Sequence, residues 1–306
     1  METLMRNILL FLAKNKLATK LAQSYGLQAG ASRFVAGDTI SSAVDKVRDL
    51  NKHNILATLD HLGEFVGNED EAIQSADYCI KTLDAIQNEG VKSGLSVKLT
   101  QLGLDISREL CIDNMHRILD RARTYHNFVR IDMEDYAHNE VTLDIFKRLH
   151  QHYPETVGLV IQAYLYKSEK DLEDLTALHP NLRIVKGAYK ESAQVAFPAK
   201  PDVDTNFVHL LQKHLMNGNY TAIATHDLHV IDRLKQFVRD RDIPTSQFEF
   251  QMLYGIRPQL QEQLADEGYT VRVYVPYGTD WYGYFMRRLA ERPANVGFVL
   301  KSMWKK

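Results

Sequence analysis

Residues 157–165 read VGLVIQAYL, a near-continuous apolar run with polar side chains at Gln162 and Tyr164 near its end. A run of this kind is typical of a strand buried on both faces of a parallel sheet. Seven similar runs are separated by amphipathic segments rich in Leu, Ala, Glu and Lys, which predict helices. These runs are Ile55–Leu59, Leu95–Leu99, Phe128–Met133, Leu182–Val185, Tyr220–Ala224, Phe248–Leu253 and Val271–Val275.

Eight strand–helix units predict an α/β fold that closes into a (βα)8 TIM-type barrel. The chain has 306 residues, which is enough for one such barrel of roughly 250 residues. We assign residues 46–306 to the barrel, with a last helix predicted at Trp281–Glu291. An open doubly wound sheet is the alternative, but no G-x-G-x-x-G follows any predicted strand.

Residues 1–45 are predicted to form a helical segment packed on the barrel. Leu4, Ile8, Phe11 and Leu12 have helix-like spacing. We favour a cap on the barrel, and the alternative is an amphipathic surface that contacts a membrane or a partner. The purely apolar run in this segment is far shorter than the roughly 20 residues that span a bilayer.

Composition argues against nucleic acid as a partner. The chain has 37 basic and 39 acidic residues, a formal net charge of −2 and no clustered basic stripe.

Its two cysteines, Cys79 and Cys111, form no C-x-x-C pair and no metal-binding spacing. We therefore expect a cytoplasmic protein.

Polar side chains stand near the carboxyl end of nearly every predicted strand, where barrel enzymes place their chemistry. Each one alone is usually solvated or paired, but buried charges need partners and so occur in sets. Lys98 and Asp132, on neighbouring strands, are a plausible set. The others are Asp60, His61, Glu64, Gln162, Arg183, Lys186, Thr225, His226, Gln251 and Tyr274.

Three other interpretations of these strand-end residues were considered. His226, Asp227 and His229 suggest a metal, but neither H-E-x-x-H nor paired His-x-His appears, and we expect no metal. Lys98 and Lys186 lie where Schiff-base aldolases place their lysines, so an aldolase-type lyase is the main rival. A catalytically inactive barrel kept as a binding module is a third reading.

The last predicted helix carries Tyr284, Arg287, Arg288 and Glu291 on one face, at i, i+3, i+4 and i+7. Guanidinium groups bind carboxylates or phosphates with bidentate geometry. A solvated helix with an Arg287–Glu291 ion pair fits the spacing equally well. Nearby aromatic residues favour a small pocket with an apolar wall and a cationic anchor, suited to a substrate that carries a carboxylate.

Nine short motifs in this order resemble the proline dehydrogenase family, in its short, single-function bacterial form. The resemblance runs from about residue 30, where RFVAGDT begins at Arg33, to about residue 300. The motifs are Asp60–Glu64 (DHLGE), Val97–Leu99 (VKL), Ile131–Asp135 (IDMED), Ile161–Tyr164 (IQAY), Arg183–Tyr189 (RIVKGAY), Ala224–Asp227 (ATHD), Phe250–Gly255 (FQMLYG), Tyr274–Gly278 (YVPYG) and Arg287–Glu291 (RRLAE).

The resemblance implies a distorted barrel that holds FAD, with the last helix over the strand ends. It implies oxidation of L-proline to Δ1-pyrroline-5-carboxylate by hydride transfer to the flavin N5, as the first step of proline degradation. Electrons would pass to a quinone, which leaves peripheral contact with the inner face of the cell membrane open.

The resemblance also implies individual roles. The substrate carboxylate would be bound by Lys98, Arg287 and Arg288. The substrate ring would be walled by Tyr189, Leu253, Tyr274 and Tyr284. Asp132 would position Lys98, Arg183 would lie by the flavin N5, and Glu64 would pair with Arg287 as a gate. The flavin would be held by Met133, Gln162, Lys186, Gly187, Ala188, Thr225, His226 and Gln251.

Overall fold

The computed structural model describes residues 31–63 and 66–291, and the side chains of residues 32–63 and 66–286. Within them, eight parallel strands pair in chain order and close into a barrel. The closing pair is β1 with β8, in a register that places Leu59 beside Val275. The strands are β1 (Leu56–His61), β2 (Ser93–Val97), β3 (Val129–Ile131), β4 (Val157–Gln162), β5 (Leu182–Val185), β6 (Thr221–Ala224), β7 (Phe248–Leu253) and β8 (Val271–Tyr277). The predicted barrel is confirmed.

The described helices surround this barrel, and an α-helix follows each strand. They are α1 (Ile40–Lys52), α2 (Glu69–Asn88), α3 (Arg108–Thr124), α4 (Tyr136–His150), α5 (Ser168–Thr176), α6 (Lys200–Met216), α7 (Leu228–Asp240), α8 (Pro258–Asp266) and α9 (Trp281–Glu291). Short 3-10 helices lie at Ala31–Arg33, Thr100–Leu102 and Thr245–Gln247. In the described part of the chain, no helix combines the length and the apolar character that crossing a membrane requires.

Two acidic residues that follow strands begin helices. Asp135 accepts a hydrogen bond from the backbone N–H of His138 and caps α4. Asp227 accepts one from the backbone N–H of His229 and caps α7. Capping satisfies amide groups that have no partner inside the helix. Some of the polar residues that follow the strands therefore serve to cap helices.

Residues along the strands alternate between apolar side chains of the core and charged or polar side chains. Leu59, Leu95, Ile131 and Val273 belong to the apolar core shared with the helices. The intervening residues carry the charged and polar groups that bond to one another across the barrel, among them Asp60, Arg130, Arg183, Glu249 and Arg272. Barrel interiors are more often filled by branched apolar residues.

Arg130 joins three strands at the amino-terminal end of the barrel. Its Nη1 donates to the carbonyl oxygens of Asn181, at 2.5 Å, and Leu159, at 3.1 Å. A Cβ atom at Gly158 would lie 2.5 Å from this nitrogen, so a glycine makes room for the guanidinium. A cavity of about 190 Å³ at this level is lined by Arg130, Asn181 and other residues that are mostly polar.

The segment before α1 lies at the opposite end of the barrel. The N–H of Ala36 donates to the carbonyl of Pro276, and the N–H of Gly278 donates to the carbonyl of Gly37. Helix α1 runs across the boundary that the sequence predicted between residues 45 and 46. Residues 1–30 lie outside the described part of the chain, so the predicted division into domains stays a prediction.

Candidate active site

The carboxylate of Asp132, directly after β3, gathers polar side chains from three other strands. Its Oδ1 accepts from Ser96 Oγ, at 2.9 Å, and from Arg183 Nη1, at 2.7 Å. Its Oδ2 accepts from Tyr274 Oη at 2.8 Å and lies 3.5 Å from Lys98 Nζ. The predicted set of Lys98 and Asp132 is therefore confirmed as an ion pair.

Asp60 is a further member that the sequence did not assign to the site. Only 1% of its surface is exposed, and its oxygens lie 3.1 and 3.2 Å from Lys98 Nζ. Its place in the register, beside Ser96 on β2, is the signal that points to it. Lys98 thus lies between two buried carboxylates.

The ionisation of this cluster follows from burial and neighbouring charge. Burial raises the pKa of Asp60 to about 6, although the ammonium of Lys98 opposes the rise. For Asp132, burial also acts to raise the pKa, but the charges of Arg183 and Lys98 prevail and lower it. Burial raises the pKa of Tyr274 well above its ordinary value. Asp132 is therefore the stable anion, and Tyr274 is the hydrogen-bond donor to it.

Arg183 lies inside the barrel on β5, rather than at the strand end, and is 5% exposed. Its Nη1 is bonded to Asp132, and its Nε donates to Gln251 Oε1 on β7 at 2.5 Å. Its guanidinium carbon lies 5.4 Å from the centre of the Tyr274 ring. Three strands thus fix this cation beside the Lys98–Asp132 pair.

The end of β4 presents two polar atoms that lack protein partners. Gln162 Oε1 and Tyr164 Oη are buried and have no hydrogen-bond partner among the described residues. The other end of the Gln162 amide donates to the carbonyl of Met133 at 3.5 Å. Buried polar groups are nearly always bonded, so these two atoms could accept or donate bonds to a group bound at the strand ends.

The turn after β5 has a restricted backbone. Gly187 has a φ of +111°, and a Cβ atom there would lie 2.3 Å from the ring of Tyr164. Lys186 beside it pairs with Asp204 at 2.6 Å and with Asp227 at 3.3 Å. Ala188 and Tyr189 follow in the same loop, and Tyr189 is 37% exposed.

The ends of β6 and β7 are joined by a histidine. His226 Nε2 accepts a hydrogen bond from the backbone N–H of Leu253 at 2.9 Å. The hydroxyl of Thr225 accepts one from the N–H of Asp227. Both predicted residues therefore lie at the carboxyl-terminal mouth, as expected for a site there.

The lysines of the Schiff-base alternative are both held by carboxylates. Lys98 contacts Asp60 and Asp132, and Lys186 contacts Asp204 and Asp227. An ammonium held in this way is a poor nucleophile, because imine formation requires the free amine. Among the described residues, no three His, Cys, Asp or Glu side chains are grouped as metal ligands.

The last helix packs on the segment before α1. Tyr284 on α9 is buried, and Phe285 beside it packs against Phe34, with ring centres 6.1 Å apart. The backbone of Arg287 and Arg288 belongs to this helix, but their side chains lie outside the described part, as does Glu64. Their roles stay predictions.

Comparison with known proteins assigns the chain to a family. The family model described as proline dehydrogenase matches residues 43–301. The chain belongs to the proline dehydrogenase family. Proline dehydrogenase 1 of Bacillus subtilis (strain 168) is 54% identical over 303 residues, which cover 99% of this chain and 100% of that protein. The proline dehydrogenase of Deinococcus radiodurans is 47% identical, over 90% of each chain.

A solved structure has the same fold. The crystal structure of proline utilization A (PutA) from Bdellovibrio bacteriovorus matches with a TM-score of 0.82 at 24% identity. The match covers 95% of this chain and 35% of that one, so the chain spans about a third of the length of that protein. At this identity the similarity concerns the fold.

Membership in the proline dehydrogenase family makes the chain an oxidoreductase, and the family's enzymes are flavoenzymes. The strand ends fit a flavin in three respects. Gln162 and Tyr164 offer unpartnered buried polar atoms, and the turn at Gly187 brings the backbone close to the ring of Tyr164. Arg183 supplies a fixed cation, the charge that a flavin accepting a hydride requires.

Proposed function

We propose that this protein oxidises L-proline to Δ1-pyrroline-5-carboxylate with FAD as its cofactor. The observation that carries the proposal is the cluster of Lys98, Asp132, Arg183 and Tyr274 at the carboxyl-terminal mouth of the barrel. It combines a cation for a small carboxylate, an aromatic wall and a second cation for a flavin. The family membership supports the same reaction.

The substrate carboxylate is proposed to bind Lys98 together with Arg287 and Arg288. Lys98 is suited to this role because Asp60 and Asp132 hold its ammonium in place, which limits the entropy lost on binding. The substrate ring is proposed to pack against Tyr189, Leu253, Tyr274 and Tyr284. In the empty site, Glu64 would pair with Arg287 as a gate.

Bound FAD would supply the hydride acceptor for C5 of proline, the ring carbon bonded to nitrogen that does not carry the carboxylate, while the N–H proton leaves to complete the C=N bond. Arg183 is proposed to face its isoalloxazine near N5, where a fixed cation favours the added negative charge. Asp132 keeps Lys98 and Arg183 in their places. The residues proposed to hold the cofactor are Met133, Gln162, Lys186, Gly187, Ala188, Thr225, His226 and Gln251.

Electrons are proposed to pass from the flavin to a quinone. The protein is proposed to be cytoplasmic, with peripheral contact at the inner face of the cell membrane as the way to reach that acceptor. Flotation with vesicles of bacterial lipid tests the contact, and turnover with a soluble quinone analogue tests the acceptor. Neither result bears on proline oxidation itself.

The visible spectrum of the purified protein tests the main proposal. The protein should be yellow, its extracted cofactor should be FAD, and its colour should bleach when proline is added without oxygen. Hydroxybutyrate, which has a carboxylate but no oxidisable ring amine, is the control and should leave the colour unchanged. A colourless protein that takes up no FAD would contradict the proposal.

A further inference from the structure

A row of buried hydrogen bonds lies below the candidate active site. Glu249 on β7 is 2% exposed and accepts bonds from three side chains. Arg272 Nε lies 2.9 and 3.1 Å from its two oxygens, and Tyr220 Oη donates to Oε2 at 3.0 Å. The third donor is the amide nitrogen of Gln251, which donates to Oε1. Glu249 therefore lies in a fully bonded position, without touching the candidate substrate residues.

The direction of these bonds fixes the amide of Gln251. An ionised carboxylate only accepts hydrogen bonds, so Glu249 requires the amide nitrogen of Gln251 to face it. The amide oxygen then faces Arg183, whose Nε donates to it at 2.5 Å. The reversed amide would place N–H against N–H at Arg183 and oxygen against oxygen at Glu249. Both contacts would be repulsive.

Glu249 is an ionised carboxylate, as this arrangement of the Gln251 amide requires. Burial acts to raise the pKa of Glu249, but the charge of Arg272 and the hydrogen bonds from Arg272 and Gln251 lower it below its ordinary value. The carboxylate is thus ionised at neutral pH and acts only as an acceptor. Arg272 also donates to the carbonyl of Ala57 on β1, at 3.0 Å, which anchors the row to the barrel wall.

We propose that Glu249 is a positioning residue for the reaction: by orienting the amide of Gln251, it holds the guanidinium of Arg183 in one orientation. At the far end of its guanidinium, Arg183 donates from Nη1 to Asp132 and makes longer contacts, at 3.4 and 3.5 Å, with Ser96 Oγ. The bond from Nε to Gln251 is the one strong contact that the described residues make at the other end of the group, so its loss lets that end move. The inference rests on the proposed function, because Arg183 acts on the flavin only there.

The central test is Glu249→Gln, which keeps the shape and removes the acceptor-only group. We expect kcat/KM for proline to fall about 10- to 100-fold, as for other residues that orient a contacting group. The flavin reduction potential separates two causes. Loss of a nearby negative charge would by itself raise the potential, whereas displacement of the Arg183 cation lowers it. We expect a lower potential.

Asp171→Asn is the matched control, since Asp171 is also a buried carboxylate paired with a cation, Lys167 at 3.5 Å, but lies on α5 outside the barrel. It should destabilise the fold while leaving the potential and kcat/KM unchanged. An unchanged or raised potential in Glu249→Gln, or an equal fall in both variants, would overturn the proposal. Should Glu249→Gln not fold, Tyr220→Phe removes one donor to Glu249 and should lower kcat/KM several-fold, and a wild-type value would likewise overturn it.

Thermal unfolding of the flavin-free protein tests this inference independently of the proposed function. Thermal unfolding of Glu249→Gln, Arg183→Lys and the double variant should be non-additive, with the double variant losing less in Tm than the two single losses together. Additive losses would show that Glu249 and Arg183 are independent. Non-additive losses in a protein that does not oxidise proline would reject the proposed function but keep the coupling.

Discussion

Lys98 Nζ lies 3.1 Å from Oδ2 of Asp60, in an ion pair that joins β1 to the end of β2. On its other side, Lys98 lies 3.5 Å from Asp132, so one ammonium separates two buried carboxylates. Removing one partner of a buried ion pair leaves an uncompensated charge, which is far more costly than removing an exposed one.

Lys98→Met should therefore lower the free energy of unfolding by about 3–5 kcal/mol and should raise the KM for proline. Urea unfolding and steady-state kinetics measure the two effects. The control is Lys170→Met, which breaks an exposed pair with Asp174 and should leave both values nearly unchanged. Equal stability losses in the two variants would contradict the buried arrangement.

Tyr274→Phe removes the hydroxyl that donates to Asp132 at 2.8 Å but keeps the ring. We expect kcat/KM for proline to fall about 10- to 100-fold, because Asp132 orients both cations of the site. Tyr153→Phe is the control, since its hydroxyl bonds to Asp120 outside the barrel. A wild-type kcat/KM in Tyr274→Phe would exclude its hydroxyl from the mechanism.

The pH dependence of stability follows from Asp60. Its pKa is raised from 3.8 to about 6 in the folded protein, so the folded state binds this proton more tightly than the unfolded state does. Its contribution to stability therefore decreases as the pH rises from about 4 to about 6. Asp60→Asn should gain about 3 kcal/mol relative to the wild type over this range, at about 1.4 kcal/mol per pKa unit. Urea unfolding across the range measures the difference, and a constant difference would contradict the raised pKa.

Gly187→Ala should release the flavin. Its φ of +111° strains any side chain, and the added Cβ would meet the ring of Tyr164 at 2.3 Å. Gly218→Ala is the control, because Gly218 also has a positive φ but no atom lies within 4 Å of its added Cβ. We expect FAD content per chain to fall severalfold in Gly187→Ala alone. Full FAD content would place the flavin away from this turn.

Arg288→Lys should raise the KM for proline about tenfold or more, because a lysine cannot reproduce the two parallel hydrogen bonds of a guanidinium to a carboxylate. This expectation comes from the sequence and the family, since the side chain lies outside the described residues. Steady-state kinetics with proline are the measurement. An unchanged KM would place the arginine pair outside the substrate site.

The sequence predicted the barrel because each buried strand is a short apolar run with a helix after it. It also predicted the Lys98–Asp132 pair, since neighbouring strand ends of a parallel sheet meet at one edge. It could not predict the contact of Arg183 with Gln251, because β5 and β7 are not neighbours and the contact crosses the barrel interior.

The sequence assigned no site role to two further residues, for a related reason. Asp60, which was recognised only as a polar residue at a strand end, and Glu249 each stand within or beside an apolar run, where a single polar residue suggests a strand end or a solvated edge. Only the register of the closed barrel shows that both face inward, toward Lys98 and Arg272 respectively. Successive side chains of a strand face opposite sides of the sheet, so which of them face inward depends on which side the helices cover.

The charged interior of the barrel has a thermodynamic consequence. Unfolding would expose guanidinium and carboxylate groups such as Arg130, Arg183 and Glu249 as well as apolar side chains. Exposure of polar surface lowers the heat capacity change that apolar surface raises. The free energy of unfolding should therefore vary less steeply with temperature than in a barrel of equal size filled by aliphatic side chains, and the desolvation penalty of its ion pairs shrinks on warming.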